Sequence, residues 1–193
     1  MSVADRSELP GHPSPSRYHD LVRYVALLRG INVGGRTIKM AELKSYFEET
    51  GYDDVTTVLQ TGNVIFGSTE GLPALKQTIE TGLGSKFSYS AHVQVYPLTK
   101  LKRVVDASPF EGGDPATHSY VVFFENGLEK QLAKEASGVD PHVESIELGP
   151  GVIYWKVLKG STLESDFAQF LTKARYKSFH TSRNINTLRK IVD

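Results

Sequence analysis

The sequence predicts an α+β protein built from two ferredoxin-like β-α-β-β-α-β halves with antiparallel-containing sheets. Two observations carry that reading. Short runs rich in β-branched and aromatic residues alternate with stretches of helical apolar spacing, in the order β-α-β-β-α-β over residues 21–97. The same order returns over residues 118–193, after a connecting helix and loop over 98–117. The local text also rhymes, Asn63-Val64-Ile65-Phe66 against Gly151-Val152-Ile153-Tyr154. Four common strand residues coincide easily, so the order of elements is the stronger warrant.

The elements follow in order. Residues 1–20 carry Pro10, Pro13 and Pro15, several serines and almost no aliphatic periodicity, and read as a disordered tail. Val22 to Leu28 is a strand. Met40 to Thr50 places Met40, Leu43, Tyr46 and Phe47 at helical spacing, with Gly51 set to end the helix. Val55 to Gln60 and Asn63 to Phe66 form a hairpin around Thr61-Gly62, Leu72 to Leu83 a helix, and His92 to Tyr96 a strand before Pro97. A helix from Leu98 to Ala107 and a loop from Pro109 to Thr117 join the halves. The second half reads as a strand (Tyr120 to Phe124), a helix (Leu128 to Ala136) and a hairpin around Gly149-Pro150-Gly151. A helix from Leu163 to Ala174, a last strand from Ser178 to Ser182 and a terminal helix from Asn186 to Val192 complete it.

Composition excludes several functions. Lys+Arg and Asp+Glu are 22 each, which disfavours generic polyanion binding and makes nucleic acid an unfavoured partner. The charge is unevenly placed, with an acidic stretch from Asp106 to Glu147 and a basic one from Lys156 to Lys190. These read as solvated faces that attract each other, or as a basic rim around an anionic ligand. The absence of cysteine removes disulfides, thiolate ligands and cysteine nucleophiles. The six histidines are scattered without metal-ligand spacing, so no metal is expected and no cofactor is named. No signal peptide or apolar run of membrane-spanning length is visible, and the chain reads as cytoplasmic, without a membrane partner.

Three polar clusters stand out. Arg29-Gly30-Ile31-Asn32-Val33-Gly34-Gly35 follows the first strand directly. Its glycines permit positive φ and close approach of N–H groups, an anion-binding nest with Arg29 or Lys39 as counter-charge. The P-loop and dinucleotide spacings are both absent. Gln60-Thr61-Gly62-Asn63 flanks the hairpin, and Ser182-Arg183-Asn184-Ile185-Asn186-Thr187 lies near the C-terminus. Each has a structural alternative: a wide turn, local side-chain bonds to the backbone, and Asn184 or Asn186 as a helix N-cap. Trp155, in a predicted strand, reads as core.

These blocks, with the Pro109-Phe110 pair, resemble the bacterial domain-of-unknown-function 1697 family from about Arg23 to Val192. The resemblance implies a two-part α+β fold and no assigned activity. The chain departs from the family's usual pattern at Thr61, where serine is common, and at Ile185, where tryptophan is common. The first change keeps a hydroxyl; the second removes an aromatic surface.

The function read from the residues is the binding of a small anionic molecule, by a protein that could also be an enzyme. Its pocket would be formed by Arg29, Asn32, Lys39, Gln60, Asn63, Arg183 and Asn186. Tyr176 and His180 are candidates for proton transfer. The alternative is a nucleic-acid-binding module that uses a four-stranded sheet and the basic C-terminal stretch, and a third reading is association through an open sheet edge. The ligand and the oligomeric state stay open.

Overall fold

A computed structural model describes residues 21–32 and 37–193. The segment read as a tail, and residues 33–36 of the glycine-rich turn, Gly34 and Gly35 among them, lie outside the described residues.

The first half runs β1 (Val22–Arg29), α1 (Met40–Glu49), β2 (Asp53–Val58), β3 (Asn63–Ser68), α2 (Leu72–Phe87) and β4 (His92–Pro97). Helix α3 (Leu98–Asp106) follows β4 directly. The second half runs β5 (Thr117–Phe124), α4 (Leu128–Glu135), β6 (Glu144–Gly149), β7 (Val152–Leu158), α5 (Asp166–Thr172), α6 (Ala174–Lys177), β8 (His180–Asn184) and α7 (Ile185–Val192). The strands form two four-stranded sheets of order β2-β3-β1-β4 and β6-β7-β5-β8, each neighbouring pair antiparallel. The α+β class and the two-sheet architecture are those the sequence predicts.

Three apolar layers hold the molecule together. Tyr24, Ala26 and Leu28 on one face of β1 pack with α1 and α2 residues such as Phe47 and Ile79. Val122, Ile153 and Trp155 pack in the same way with Leu132 of α4, Phe167 of α5 and Tyr176 of α6. The two remaining sheet faces turn toward each other. Val25 and Leu27 from one, with Val121, Phe123 and Tyr154 from the other, enclose Leu101 and Val104 of α3 and Ile185 and Leu188 of α7. Burial on both faces is why β1 reads as an unbroken apolar run rather than an alternating one. Helices α3 and α7 therefore stand between the sheets, an addition to the two helices expected on one face of each. Polar bridges span the same seam: Tyr154 Oη donates to the Val104 carbonyl at 2.8 Å, and Lys76 Nζ meets Glu125 Oε1 at 2.7 Å.

Several boundaries differ from the sequence reading, the first hairpin strand among them at Asp53–Val58 rather than Val55 to Gln60, and one matters for the site. The helix expected from Leu163 to Ala174 starts later, where the Ser165 side chain accepts from Ala168 N, and it breaks at Lys173, whose ψ of 140° is extended. The break lets Tyr176 turn into the core. The last strand begins at His180, so Arg183, expected to follow the strand, lies within it. Arg183 pairs with Val121 and is buried, while its neighbours Ser182 and Asn184 are half-exposed. The acidic and basic stretches meet through one ion pair among the described residues, Arg175 Nη2 to Glu135 Oε2 at 2.5 Å.

Candidate functional site

The chain ends β1, begins β3 and β4, ends β5 and begins β8 at one pole of the molecule. Register places Arg29 opposite His92, Leu27 opposite Asn63 and Phe124 opposite His180. The hairpin turn is docked onto β1 by Leu28 N–H, which donates to the Gly62 carbonyl at 2.8 Å. Gly62 has φ of +73°, and a Cβ there would stand 2.5 Å from Ile31 Cγ2. Glycine is needed at that position for both backbone and space.

Arg183 crosses from the second half into this turn. Its Nε donates to Asn63 Oδ1 at 2.6 Å. Nη1 donates to Thr181 Oγ1 at 2.8 Å and to the Ser182 carbonyl at 2.9 Å. Nη2 donates to the Leu28 carbonyl at 2.6 Å and, more weakly, to the Gly62 carbonyl at 3.5 Å. A guanidinium has five N–H groups, and all five are matched. The residue is 9% exposed, and burial pulls its pKa down to about 10, so it remains charged at neutral pH. Its partners are neutral oxygens; among the described residues no carboxylate lies within 4 Å.

The other predicted site residues are placed as follows. Asn63 is wholly buried and spends its Nδ2 on the Val58 carbonyl at 3.0 Å and Thr61 Oγ1 at 2.8 Å. The hydroxyl that Thr61 keeps is thus part of the turn. Asn32, at φ of +56°, accepts from Ile38 N at 2.8 Å and donates to the Gln60 carbonyl at 2.9 Å. It ties both ends of the glycine-rich turn to the hairpin. Gln60 contributes that carbonyl and exposes its side chain, and Lys39 is exposed just before α1. Arg29 is half-buried and donates through Nη2 to the Lys177 carbonyl.

Four of the seven, Asn32, Gln60, Asn63 and Arg183, are therefore drawn to the end of β1 and the hairpin turn by hydrogen bonds; Arg29 bonds the Lys177 carbonyl instead, and among the described residues no hydrogen bond links the Lys39 side chain to the others. Asn186 joins none of the others by a hydrogen bond. It is exposed on the first turn of α7, its Oδ1 so close to Gly112 that a Cβ there would meet it at 2.0 Å. The N-cap of α7 is Asn184, whose Oδ1 accepts from Asn186 N at 2.9 Å. Ile185, at the position where the family commonly has tryptophan, is fully buried in the central layer.

Beneath Arg29 lies a narrow slot that the three clusters did not point to. Arg29, His92, Gln94, Glu125 and His180 line it, and it measures about 10 Å³. It shares Gln94 and Glu125 with an open cleft of about 310 Å³ that runs past Lys76, Tyr96 and Asn126 along the outer edge of β4. The edge itself is partly closed, since Val93 N–H donates to Glu80 and the Val93 carbonyl accepts from Lys76. His180 Nδ1 lies 2.9 Å from the Tyr176 carbonyl. Burial foremost, and the nearby Arg29 charge, lower the imidazole pKa, which the bond to Tyr176 partly offsets. Tyr176, the second candidate for proton transfer, is wholly buried, and that burial raises its pKa. Glu125 carried no sequence signal, because only the register of β5 against β8 brings it beside Arg29. Among the described residues no group of three or more acidic or histidine side chains could hold a metal ion.

A solved structure titled as that of conserved bacterial protein SP0830 from Streptococcus pneumoniae has the same fold. It aligns with a TM-score of 0.73 at 24% identity over 89% of this chain and 97% of its own. No curated protein matches the sequence. Residues 21–154, most of the two-sheet core including β1, the glycine-rich turn and the β2–β3 hairpin, match the family described as "Protein of unknown function (DUF1697)", and the chain belongs to that family.

Proposed function

We propose that this is a cytoplasmic small-molecule-binding protein that holds an oxyanion, phosphate or carboxylate, at the pole where β1 ends in Arg29, with Lys39 as a second cation. The carrying observation is electrostatic. Arg29 and Arg183 both reach the pole where β1 ends and β8 begins, and among the described residues neither has a carboxylate within 4 Å. Two guanidinium groups at one pole, with Glu125 the acidic group whose charge reaches Arg29, leave a net positive charge there that an anionic ligand would complete.

The buried network supports this reading in a different capacity from the exposed cations. Arg183, Asn63 and Asn32 form a rigid floor that fixes the two turns, while Arg29 and Lys39 face the ligand. The alternative of single-stranded nucleic acid stacked on a sheet is disfavoured by packing. Both faces of each sheet are covered by helices or by the opposite half, so among the described residues no aromatic platform is exposed on a sheet face; the exposed Phe179 precedes β8. The cytoplasmic assignment draws on the residues alone; among the described residues no helix is long and apolar enough to cross a membrane.

Thermal melts at constant ionic strength test the proposal. Inorganic phosphate and sulfate should raise the midpoint of the wild-type protein in a saturable way. Both ions also stabilise proteins generally by exclusion from the surface. The specific part is therefore the part lost in Arg29→Ala and kept in Lys102→Ala, whose lysine pairs with Asp106 elsewhere. Equal anion-induced shifts in wild type and Arg29→Ala would sink the reading.

A further inference from the structure

The slot beneath Arg29 suggests which oxyanion the pole takes. A carbonyl oxygen can only accept, so the 2.9 Å contact between His180 Nδ1 and the Tyr176 carbonyl puts the proton on Nδ1. In the neutral ring Nε2 is then a bare acceptor, and among the described residues it has no partner. Glu125 stands in the same slot, with Oε1 engaged by Lys76 of α2. Gln94, whose Nε2 reaches toward the Phe123 carbonyl at 3.4 Å and whose Oε1 accepts from Tyr96 Oη, forms the wall. His92 of β4 lies at the rim, where Nε2 faces Ser90 Oγ at 3.4 Å. The slot thus sets two groups that can only accept, an imidazole nitrogen and a carboxylate, beside one cationic fork, with the hydroxyls of Ser178 and Thr181, which can donate or accept, also in its lining. Its volume of about 10 Å³ has room for roughly one water-sized group.

An anion bound at Arg29 and extending one oxygen into this slot meets acceptors there. A fully deprotonated oxygen could take a hydrogen from a lining hydroxyl but would leave the carboxylate and the imidazole nitrogen facing its lone pairs with none to share. An oxygen that carries a proton would donate it into a hydrogen bond. We propose that the slot reads the proton of a phosphate group, so that the pole binds hydrogen phosphate, free or as a monoester, in preference to sulfate. The inference rests on the anion reading above and adds the ligand class. Inorganic phosphate keeps a proton through the neutral range, a monoester keeps one only below its second pKa of about 6, and sulfate keeps none. A site built around hydrogen-bond acceptors penalises the ligand that leaves them unpaired.

Isothermal titration of the full-length protein with inorganic phosphate and with sulfate at matched ionic strength near pH 6.5 provides the test. Phosphate should bind at least about tenfold more tightly, the equivalent of one hydrogen bond to the slot. In His180→Phe sulfate affinity should persist and the preference for phosphate should collapse. If that variant does not fold, the wild-type protein still decides the matter. In nitrogen-15 spectra the Nε2 resonance of His180 should shift with phosphate and stay in place with sulfate. Methyl phosphate in the same titration, with its affinity referred to the proton-bearing monoanion (second pKa about 6), separates the sources: tighter binding than inorganic phosphate assigns an ester, weaker binding the free ion, and both must exceed sulfate. Equal affinity for phosphate and sulfate in the wild type overturns this proposal and leaves the anion pole standing. Binding of neither ion removes the pole and the slot together.

Discussion

Arg183 offers the sharpest test of how this molecule is built, because the chemically conservative replacement should be the worse one. The guanidinium is buried without a carboxylate, and bringing it from its ordinary 12.5 to about 10 corresponds to roughly 3 kcal/mol spent against its charged form. It tolerates that cost because five N–H groups meet five oxygens. Arg183→Met removes the charge and leaves Asn63 Oδ1 and the Leu28 carbonyl as buried acceptors without Arg183, at about 1–3 kcal/mol each. The Gly62 carbonyl keeps its bond from Leu28 N–H. Relief of the desolvation offsets much of the loss, for a net destabilisation of about 1–2 kcal/mol.

Arg183→Lys keeps the charge and loses the fork. One ammonium can serve three acceptors at a single point, so at least two charge-assisted bonds vanish, each worth about 1.5–3 kcal/mol, with no relief from desolvation. The expected loss is about 3–5 kcal/mol. Urea unfolding at pH 7 with unchanged slope reads both directly. In thermal melts the difference between the variants should be several degrees at this chain length, at ~2–4 °C per kcal/mol. A lysine variant as stable as the methionine variant would show that the buried charge is not being held by the fork, and the account of the pole's floor would fail with it.

Two further outcomes follow from burial. Ile185→Trp, which restores the residue common in the family, should destabilise this chain by about 1–3 kcal/mol in urea unfolding, because Ile185 is fully enclosed and its Cγ2 would stand 2.8 Å from a Cβ on Gly112; a neutral or stabilising result would mean that the central layer has room the packing does not show. His180 has a folded pKa below its unfolded value of 6.5, so the unfolded chain binds the extra proton first and stability should fall as pH drops through 6.5 toward the folded value, with no contribution above it. The slope between pH 7 and pH 5 should be shallower in His180→Gln, and an identical slope would refute the assignment.

The element order was legible because each strand and helix announces itself locally. Leu43, Tyr46 and Phe47 repeat at helical spacing, and Thr61-Gly62 interrupts two β-rich runs. The position of Arg183 was not legible, for a reason of register. A strand that ends at Ser182 leaves Arg183 beyond the sheet, and one that runs from His180 to Asn184 carries Arg183 as an interior residue paired with Val121. The His180-Thr181-Ser182-Arg183-Asn184 run has no apolar alternation to fix the choice; the partners in β1 and the hairpin fix it. The slot was hidden more deeply. His180 and Glu125 are 55 residues apart in number, and Arg29 is farther still; their meeting depends on both sheets and on the seam between them. The three polar clusters could be seen to belong together, but not which of their atoms would turn inward.

That inward turn keeps the charge of Arg183 at the pole proposed to take an anion. Hydrogen bonds from carbonyl, amide and hydroxyl oxygens satisfy the donors of Arg183 without cancelling its charge. They lower the cost of burial and leave a net cation behind. Low-dielectric surroundings also screen that cation less than water would. A unit anion ~8 Å from it, at an effective dielectric of ~20, would gain about 2 kcal/mol. Pairing Arg183 with a carboxylate would have stabilised the fold in the same place and extinguished that field. Asn63 occupies the position where an aspartate would do so, and as an amide it serves both roles at once: its oxygen holds Arg183, and its nitrogen holds the Val58 carbonyl and Thr61. The choice of amide over carboxylate at residue 63 is what lets a structural arginine also contribute to the electrostatics of the exposed turn above it.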